Sequence, residues 1–330
     1  MKRTTLFLIL FSLLGSATAW YVLSKPDDKT SLAGADRRFK VENTDEIYKI
    51  FIADRKGEQT TLERKAGFWQ YNGKYTANPN VMNTLLDAIG RMEIAYKPPT
   101  AAVQNMIKNL ATEGIKVEIY NKNNKLLKSY YIGGATADER GTYAILDGAE
   151  QPYVVSIPGW EGNLRFRFNL KGDDWRDKTV FAEKAENIQS VTVEYPKNRN
   201  KSFRLERNSN SYQVKPFYPI TPIINHPYKP GSAERYLEGF RSLGAEAFEN
   251  ENPRRDSVRQ LVPFSIITLQ NKQGVEKTVR LFPIFTVSNQ AERYLAELST
   301  GDFMLVQHLV FAKVLWGYEF FFENENSTIH

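Results

Sequence analysis

Apolar and polar positions alternate along two stretches of the chain, and the two stretches match each other. Residues 45–72 read DEIYKIFIADRKGEQTTLERKAGFWQYN, and residues 186–214 read ENIQSVTVEYPKNRNKSFRLERNSNSYQV. Ile47, Ile50 and Ile52 correspond to Ile188, Val191 and Val193. Leu62-Glu63-Arg64 corresponds to Leu205-Glu206-Arg207, and Trp69-Gln70 to Tyr212-Gln213. The second stretch has two extra residues in its first turn. Period-2 alternation around polar turns predicts an antiparallel meander in each.

The order of elements after the meander repeats as well. Val81, Leu85, Leu86, Ile89 and Met92 share one helical face, and Tyr236, Leu237, Phe240 and Leu243 do the same. A short helix follows, with Val103, Met106, Ile107 and Leu110 at i, i+3, i+4, i+7 spacing. Thr100 is its expected N-cap and Gly114 its stop. Its counterpart is residues 254–261. Residues 117–132 and 266–281 then align without a gap as hairpins, and closing hairpins follow at 143–155 and 294–306. Gly133-Gly134 reads as a turn. The predicted fold class is α+β: two tandem copies of an antiparallel-sheet plus helix unit behind an N-terminal membrane helix.

The expected boundaries are a membrane anchor or signal segment at 1–24, a tether at 25–41, repeats at 42–160 and 185–318, a connector at 161–184, and a tail at 319–330. The first segment has Lys2 and Arg3, then no charge from Thr4 to Leu23. It is long enough to span a bilayer as a helix. Ala17-Thr18-Ala19 is also a small-residue site of the kind signal peptidase cuts, with Trp20 as the resulting N-terminus. Apolar character continues through Trp20, Tyr21, Val22 and Leu23, which favours an uncleaved anchor. With Lys2 and Arg3 inside, the bulk of the chain is expected in the periplasm, tethered singly to the inner membrane; cleavage after Ala19 would release it. Residues 304–322, rich in apolar side chains but interrupted by Gln307, His308 and Lys313, read as a strand and short helix packed on the second repeat.

Composition changes this picture little. The 330 residues are 42% hydrophobic and 25% charged, with net charge +6, all ordinary for globular domains. There is no Cys, so neither disulfides nor Cys-linked lipid are available.

Candidate chemistry is sparse. His226, His308 and His330 stand far apart, with no partner at metal-ligand spacing, so no metal or other cofactor is expected. No nucleophile elbow or phosphate loop occurs. Paired carboxylates need no local spacing, which leaves a glycan-binding module or hydrolase as the alternative. Arg165-Phe166-Arg167-Phe168 reads as a half-buried strand, and no nucleic-acid partner is expected. Two segments are candidate partner contacts. The connector carries Trp175 and Arg176 within a dense run of charge; it is either a recognition surface or, as charged linkers commonly are, a salt-bridged linker with Trp175 docking into one domain. The insert at 215–231, KPFYPITPIINHPYKPG, has five prolines with Phe217, Tyr218, Ile220, Ile224 and Tyr228 between them. Such a stiff apolar loop loses little entropy on binding a protein partner, unless it folds back on its own domain.

Three motifs carry a family resemblance: Ile47 to Ile52, Leu62 to Trp69, and Trp-Arg-Asp-Lys-Thr-Val-Phe at Trp175 to Phe181. Over nearly the whole chain after the anchor, it resembles the bacterial domain-of-unknown-function family 4340. The resemblance implies an envelope protein of Bacteroidetes type. It also implies an accessory role beside ABC-transporter and gliding-motility-like auxiliary subunits. It supplies no catalytic residues. The expected function is that of a non-catalytic envelope binding or scaffold protein.

Overall fold

The computed structural model describes residues 39–209, 211–287 and 290–323. The expected membrane segment at 4–23 and the end of the tail lie outside them. Among the described residues, no helix is long and apolar enough to cross a membrane. The chain is sheet-rich with few helices, and it divides after Asp177 into two compact units.

The first unit begins with β1 (Lys49–Ala53), β2 (Gln59–Arg64), β3 (Trp69–Tyr71) and β4 (Tyr75–Thr76). Helix α1 (Pro79–Arg91), β5 (Glu93–Tyr96) and helix α2 (Thr100–Glu113) follow. Then come β6 (Ile115–Tyr120), β7 (Leu126–Ala135), β8 (Thr142–Leu146) and β9 (Tyr153–Ser156). The nine strands form one sheet in the order β4-β3-β2-β1-β6-β7-β8-β9-β5, antiparallel throughout. Alternation puts Ile50, Ile52, Val117 and Ile119 on the core face, where α1 adds Met82, Leu85, Ala88 and Ile89. Each fully buried side chain of this size is worth about 1.5–3 kcal/mol. Pro79 opens α1, and the Asn78 carboxamide oxygen accepts from the Asn80 amide at 3.0 Å.

Helix α2 lies on the opposite face of the same sheet. Its N-cap is Pro99, so Thr100 is its first residue rather than its cap. It stops at Gly114 as expected, and that position needs glycine, because a Cβ there would collide with the Leu110 carbonyl. Gly133 and Gly134 are not a turn. They lie within β7 and seat α2: a Cβ on Gly133 would stand 2.8 Å from Asn109 Oδ1 and 3.0 Å from Leu110 Cδ2. The Gly134 amide donates to Asn109 Oδ1 at 2.8 Å.

The second unit opens with β10 (Thr179–Phe181), β11 (Ile188–Glu194), β12 (Phe203–Asn208) and β13 (Ser211–Pro216). Helix α3 (Ser232–Glu238), β14 (Leu243–Gly244), β15 (Ala247–Phe248) and helix α4 (Arg255–Arg259) come next. Then follow β16 (Ser265–Asn271), β17 (Glu276–Phe285), β18 (Ala291–Leu298) and β19 (Phe303–Gln307). Its main sheet runs β13-β12-β11-β16-β17-β18-β19-β15, while β10 pairs with β14. Apart from β4, this is the strand order of the first unit.

Four further local expectations differ from the structure. Residues 236–243 are not one helix: α3 stops before Gly239, and Leu243 joins a strand pair with Phe181. Residues 165–168 are not a strand. Leu164–Arg167 is a 3-10 turn that buries Leu164 and Phe168 four residues apart and leaves Phe166 exposed. The connector does not stand alone, because residues up to Asp177 belong to the first unit and β10 to the second. The paired hairpins are not gap-free either. Ile50 pairs with Ile119 where Val191 pairs with Leu269, which puts Val117 level with Ile267 rather than Ile266. The turns match, with Asn124 and Gly274 both at positive φ and Asn121 and Asn271 both accepting turn amides. One extra residue sits in a bulge at the start of β7. The side-chain period of two forces this register, since the gap-free match would exchange core and outer faces.

After β19 the chain turns into α5 (His308–Phe311), as expected of a strand followed by a short helix. Phe311, Val314, Tyr318 and Phe321 then pack into the second core.

Candidate functional site

The shared Leu-Glu-Arg motif is architectural. Leu62 and Leu205 are fully buried. Arg64 Nε donates to Ile47 O at 2.9 Å and Nη2 to Thr44 O at 2.9 Å, with the guanidinium over the Trp69 ring. Arg207 Nε donates to Ile188 O at 3.2 Å and Nη2 to Ala185 O at 2.8 Å, with its guanidinium over Tyr212. Each arginine ties the 3-10 turn before the first strand to the meander, so the motif repeats because the fold needs it twice.

Trp175 and Arg176 are interior residues. Trp175 is fully buried in the first core, and its Nε1 donates to Leu170 O at 2.9 Å. Arg176 is buried, pairs with Asp173 at 2.9 Å and lies 3.8 Å from the Tyr75 ring centroid. Trp175 and Arg176 therefore work inside the first unit, and both side chains are buried.

The proline-rich insert is pinned at both ends and, between them, at Thr221, which is buried with its Oγ1 donating to Arg199 O at 3.4 Å. The Phe217 amide donates to Ser202 O at 3.0 Å, and the Phe217 ring stands edge-on to Tyr218. Tyr218 Oη donates to Glu194 Oε2 at 3.4 Å, and burial pushes the Glu194 carboxyl up. At the far end, Tyr228 stacks on Phe322 with centroids 4.8 Å apart, and its Oη donates to Val214 O at 3.1 Å. Ile224 packs on the second core. Between these anchors Ile220 is 80% and Ile223 72% exposed. Four of the five expected contact residues are thus anchors in whole or part, and Ile220 is the one that projects. Ile223, which sequence reasoning passed over, projects with it.

A second feature was not anticipated. The outer face of the second sheet carries a separate small apolar cluster of Phe282, Leu295 and Phe303, against which Val258 of α4 packs. Phe282 takes the place of Gly133. The helix above it has five residues where α2 has fourteen. Pro263 disfavours a helical Val262, and the chain is not helical where α2 makes its last turn. A recess of about 640 Å³ results. Phe282, Ile284 and Leu295 line its sheet side, and Val258, Leu261 and Val262 its helix side. Pro283 and Phe285 complete the apolar lining, and Lys197 and Arg254 are its only charged members. Neither cation forms a side-chain hydrogen bond or ion pair with a described residue. In the first unit, Arg55 of the β1–β2 turn reaches Leu110 O at the end of α2, 3.5 Å away. Lys197 sits in the equivalent turn with no such helix end to meet.

Acid–base chemistry finds little to build on. A further recess of about 530 Å³ contains Tyr294, His308 and Glu292. There Tyr294 Oη and His308 Nδ1 are 2.8 Å apart, and burial pushes the Tyr294 phenol up. Glu292 is a single carboxylate, whereas glycoside hydrolysis uses two. Among the described residues, no group of three His, Asp or Glu side chains could hold a metal ion.

A family model described as a domain of unknown function, DUF4340, matches residues 69–261, more than half of the chain. The chain belongs to the DUF4340 family. No curated protein and no solved structure matches it. The DUF4340 match begins at β3, crosses from the first unit to the second, and ends at Leu261 on the rim of the recess. It takes in the motif at Trp175 to Phe181 and the proline-rich insert, but not β1, β17 or β18. It is narrower than the resemblance suggested by the motifs.

Proposed function

We propose that this chain is a non-catalytic binding or scaffold protein of the bacterial envelope. Residues 4–23 hold it at the inner membrane and its bulk faces the periplasm. Its two units descend from one duplicated fold, a reading supported by their common strand order and by the matching roles of Arg64 and Arg207. The partner is a protein of the same envelope assembly, and an accessory place beside an ABC transporter follows from the family resemblance alone.

The observation that carries this reading is the insert between β13 and α3. Its ends are fixed by Phe217, Tyr218 and Tyr228, while Ile220 and Ile223 project between prolines. A pre-stiffened apolar projection gives up little conformational entropy on docking. The test is stoichiometric co-purification from solubilised membranes, with mass spectrometry of the complex, for the wild type and for the double variant I220S/I223S. A partner recovered with the first and lost with the second is expected. Wild-type protein recovered alone would overturn the proposal.

A further inference from the structure

The recess on the outer face of the second unit is lined by apolar side chains and two cations, Lys197 and Arg254, and among the described residues nothing uses these features together. We propose that it binds an anionic membrane phospholipid, with one acyl chain lying in the recess and the phosphate meeting Lys197 and Arg254. The inference does not depend on the insert or on any protein partner.

Three observations converge on this ligand. The first is size and lining: about 640 Å³, with every lining residue apolar except Lys197 and Arg254. Pockets of this volume take small organic ligands when a few polar groups orient them. The second is the missing polar partner. The floor strands spend their backbone groups on each other, as Phe282 pairs with Leu295 and Ile284 with Arg293. A peptide laid on this floor would bring backbone amides that the floor strands cannot receive, at a cost of about 1–3 kcal/mol for each one buried unsatisfied. An acyl chain brings none. The third is charge. In the first unit the turn cation Arg55 is engaged by the carbonyl end of α2. In the second unit the helix ends early, and its last carbonyl, Arg259 O, is taken by Arg280. Arg259 and Arg280 are themselves paired with Glu297. Lys197 and Arg254 are left facing the recess with no carboxylate in its lining.

The test uses the full chain reconstituted in vesicles, with a diazirine-acyl phosphatidylglycerol probe and, separately, the same acyl chain on phosphatidylcholine. After irradiation the adducts are mapped by mass spectrometry. Adducts at Leu261, Val262 or Phe285 are expected, favouring phosphatidylglycerol by roughly tenfold from two cations near an anionic headgroup. The variant K197E/R254E, altered only at exposed side chains, should lose that preference while keeping the circular dichroism of the wild type. Adducts confined to residues 4–23 would overturn the proposal. So would equal labelling of the recess by both headgroups, or an unchanged preference in the double variant.

Discussion

The two units share a strand order and differ in what closes the outer face of the sheet. In the first, a fourteen-residue helix sits on two glycines and leaves a recess of about 240 Å³ beside it. In the second, a helix of five residues packs on Phe282 through Val258, and the opening grows to about 640 Å³. The connection after the meander differs in the same direction. The first unit makes it through a short turn into α1, while the second inserts seventeen residues at 215–231. A duplicated scaffold can keep one copy closed for stability and open the other for binding. Such surface elaborations leave the core intact, which is where most of the folding free energy lies.

The largest effect should separate the helices. Leu110 is 3% exposed and Leu261 58%. Leu110→Ala should cost about 2–5 kcal/mol. Leu261→Ala should stay within about 0.5 kcal/mol. Urea unfolding read by hydrogen exchange of peptides from each unit checks both. Similar costs at the two sites would break the comparison. Next, writing the second unit's residue into the first, as Gly133→Phe, should drive α2 off its seat. Overpacking costs about 1–3 kcal/mol, and the amides of α2 should lose exchange protection before those of β1.

A smaller effect should be equal in the two units. Arg64→Ala and Arg207→Ala each remove charged hydrogen bonds to the 3-10 turn, worth about 1.5 kcal/mol. Matching losses in thermal or urea unfolding support the shared architecture, and a loss in only one unit argues against it. The smallest effect lies at the insert. The Glu194 carboxyl is raised by burial, against a weaker opposing pull from the Tyr218 hydrogen bond. Its neutral form is therefore favoured in the fold. The stability this gives is fully present below the unfolded carboxylate pKa and lost as pH rises through the folded one. Glu194→Gln should abolish that decline, measured as the change in unfolding midpoint across the acid range.

Much of the fold was legible because core-facing alternation has a physical period. Ile47, Ile50 and Ile52 and their counterparts marked their strands, and the Leu-Glu-Arg repeat marked the same tie twice. What escaped were features set by one residue against a distant one. Gly133-Gly134 reads locally as a turn, yet a helix twenty residues earlier needs them flat in a strand. The hairpin register slipped because a single bulge residue leaves composition unchanged while exchanging faces. The recess was illegible because it arises from an absence, the unmade last turn of α4, whose signal is Pro263 set against Gly114 at the end of the longer helix. Trp175 and Arg176 show the converse: a charged aromatic run reads either as a surface or as a linker docked by its tryptophan, and only the core that holds Trp175 separates the two.

The account's central claim is that the second unit does the binding. It is tested most directly by placing a photoreactive amino acid at Ile223 or, in a separate variant, at Lys74, which occupies the corresponding connection of the first unit. Both proteins are irradiated in native membranes. The account predicts a discrete cross-linked partner, identified by mass spectrometry, from Ile223 and none from Lys74. The same adduct from both positions, or one from Lys74 alone, would contradict it.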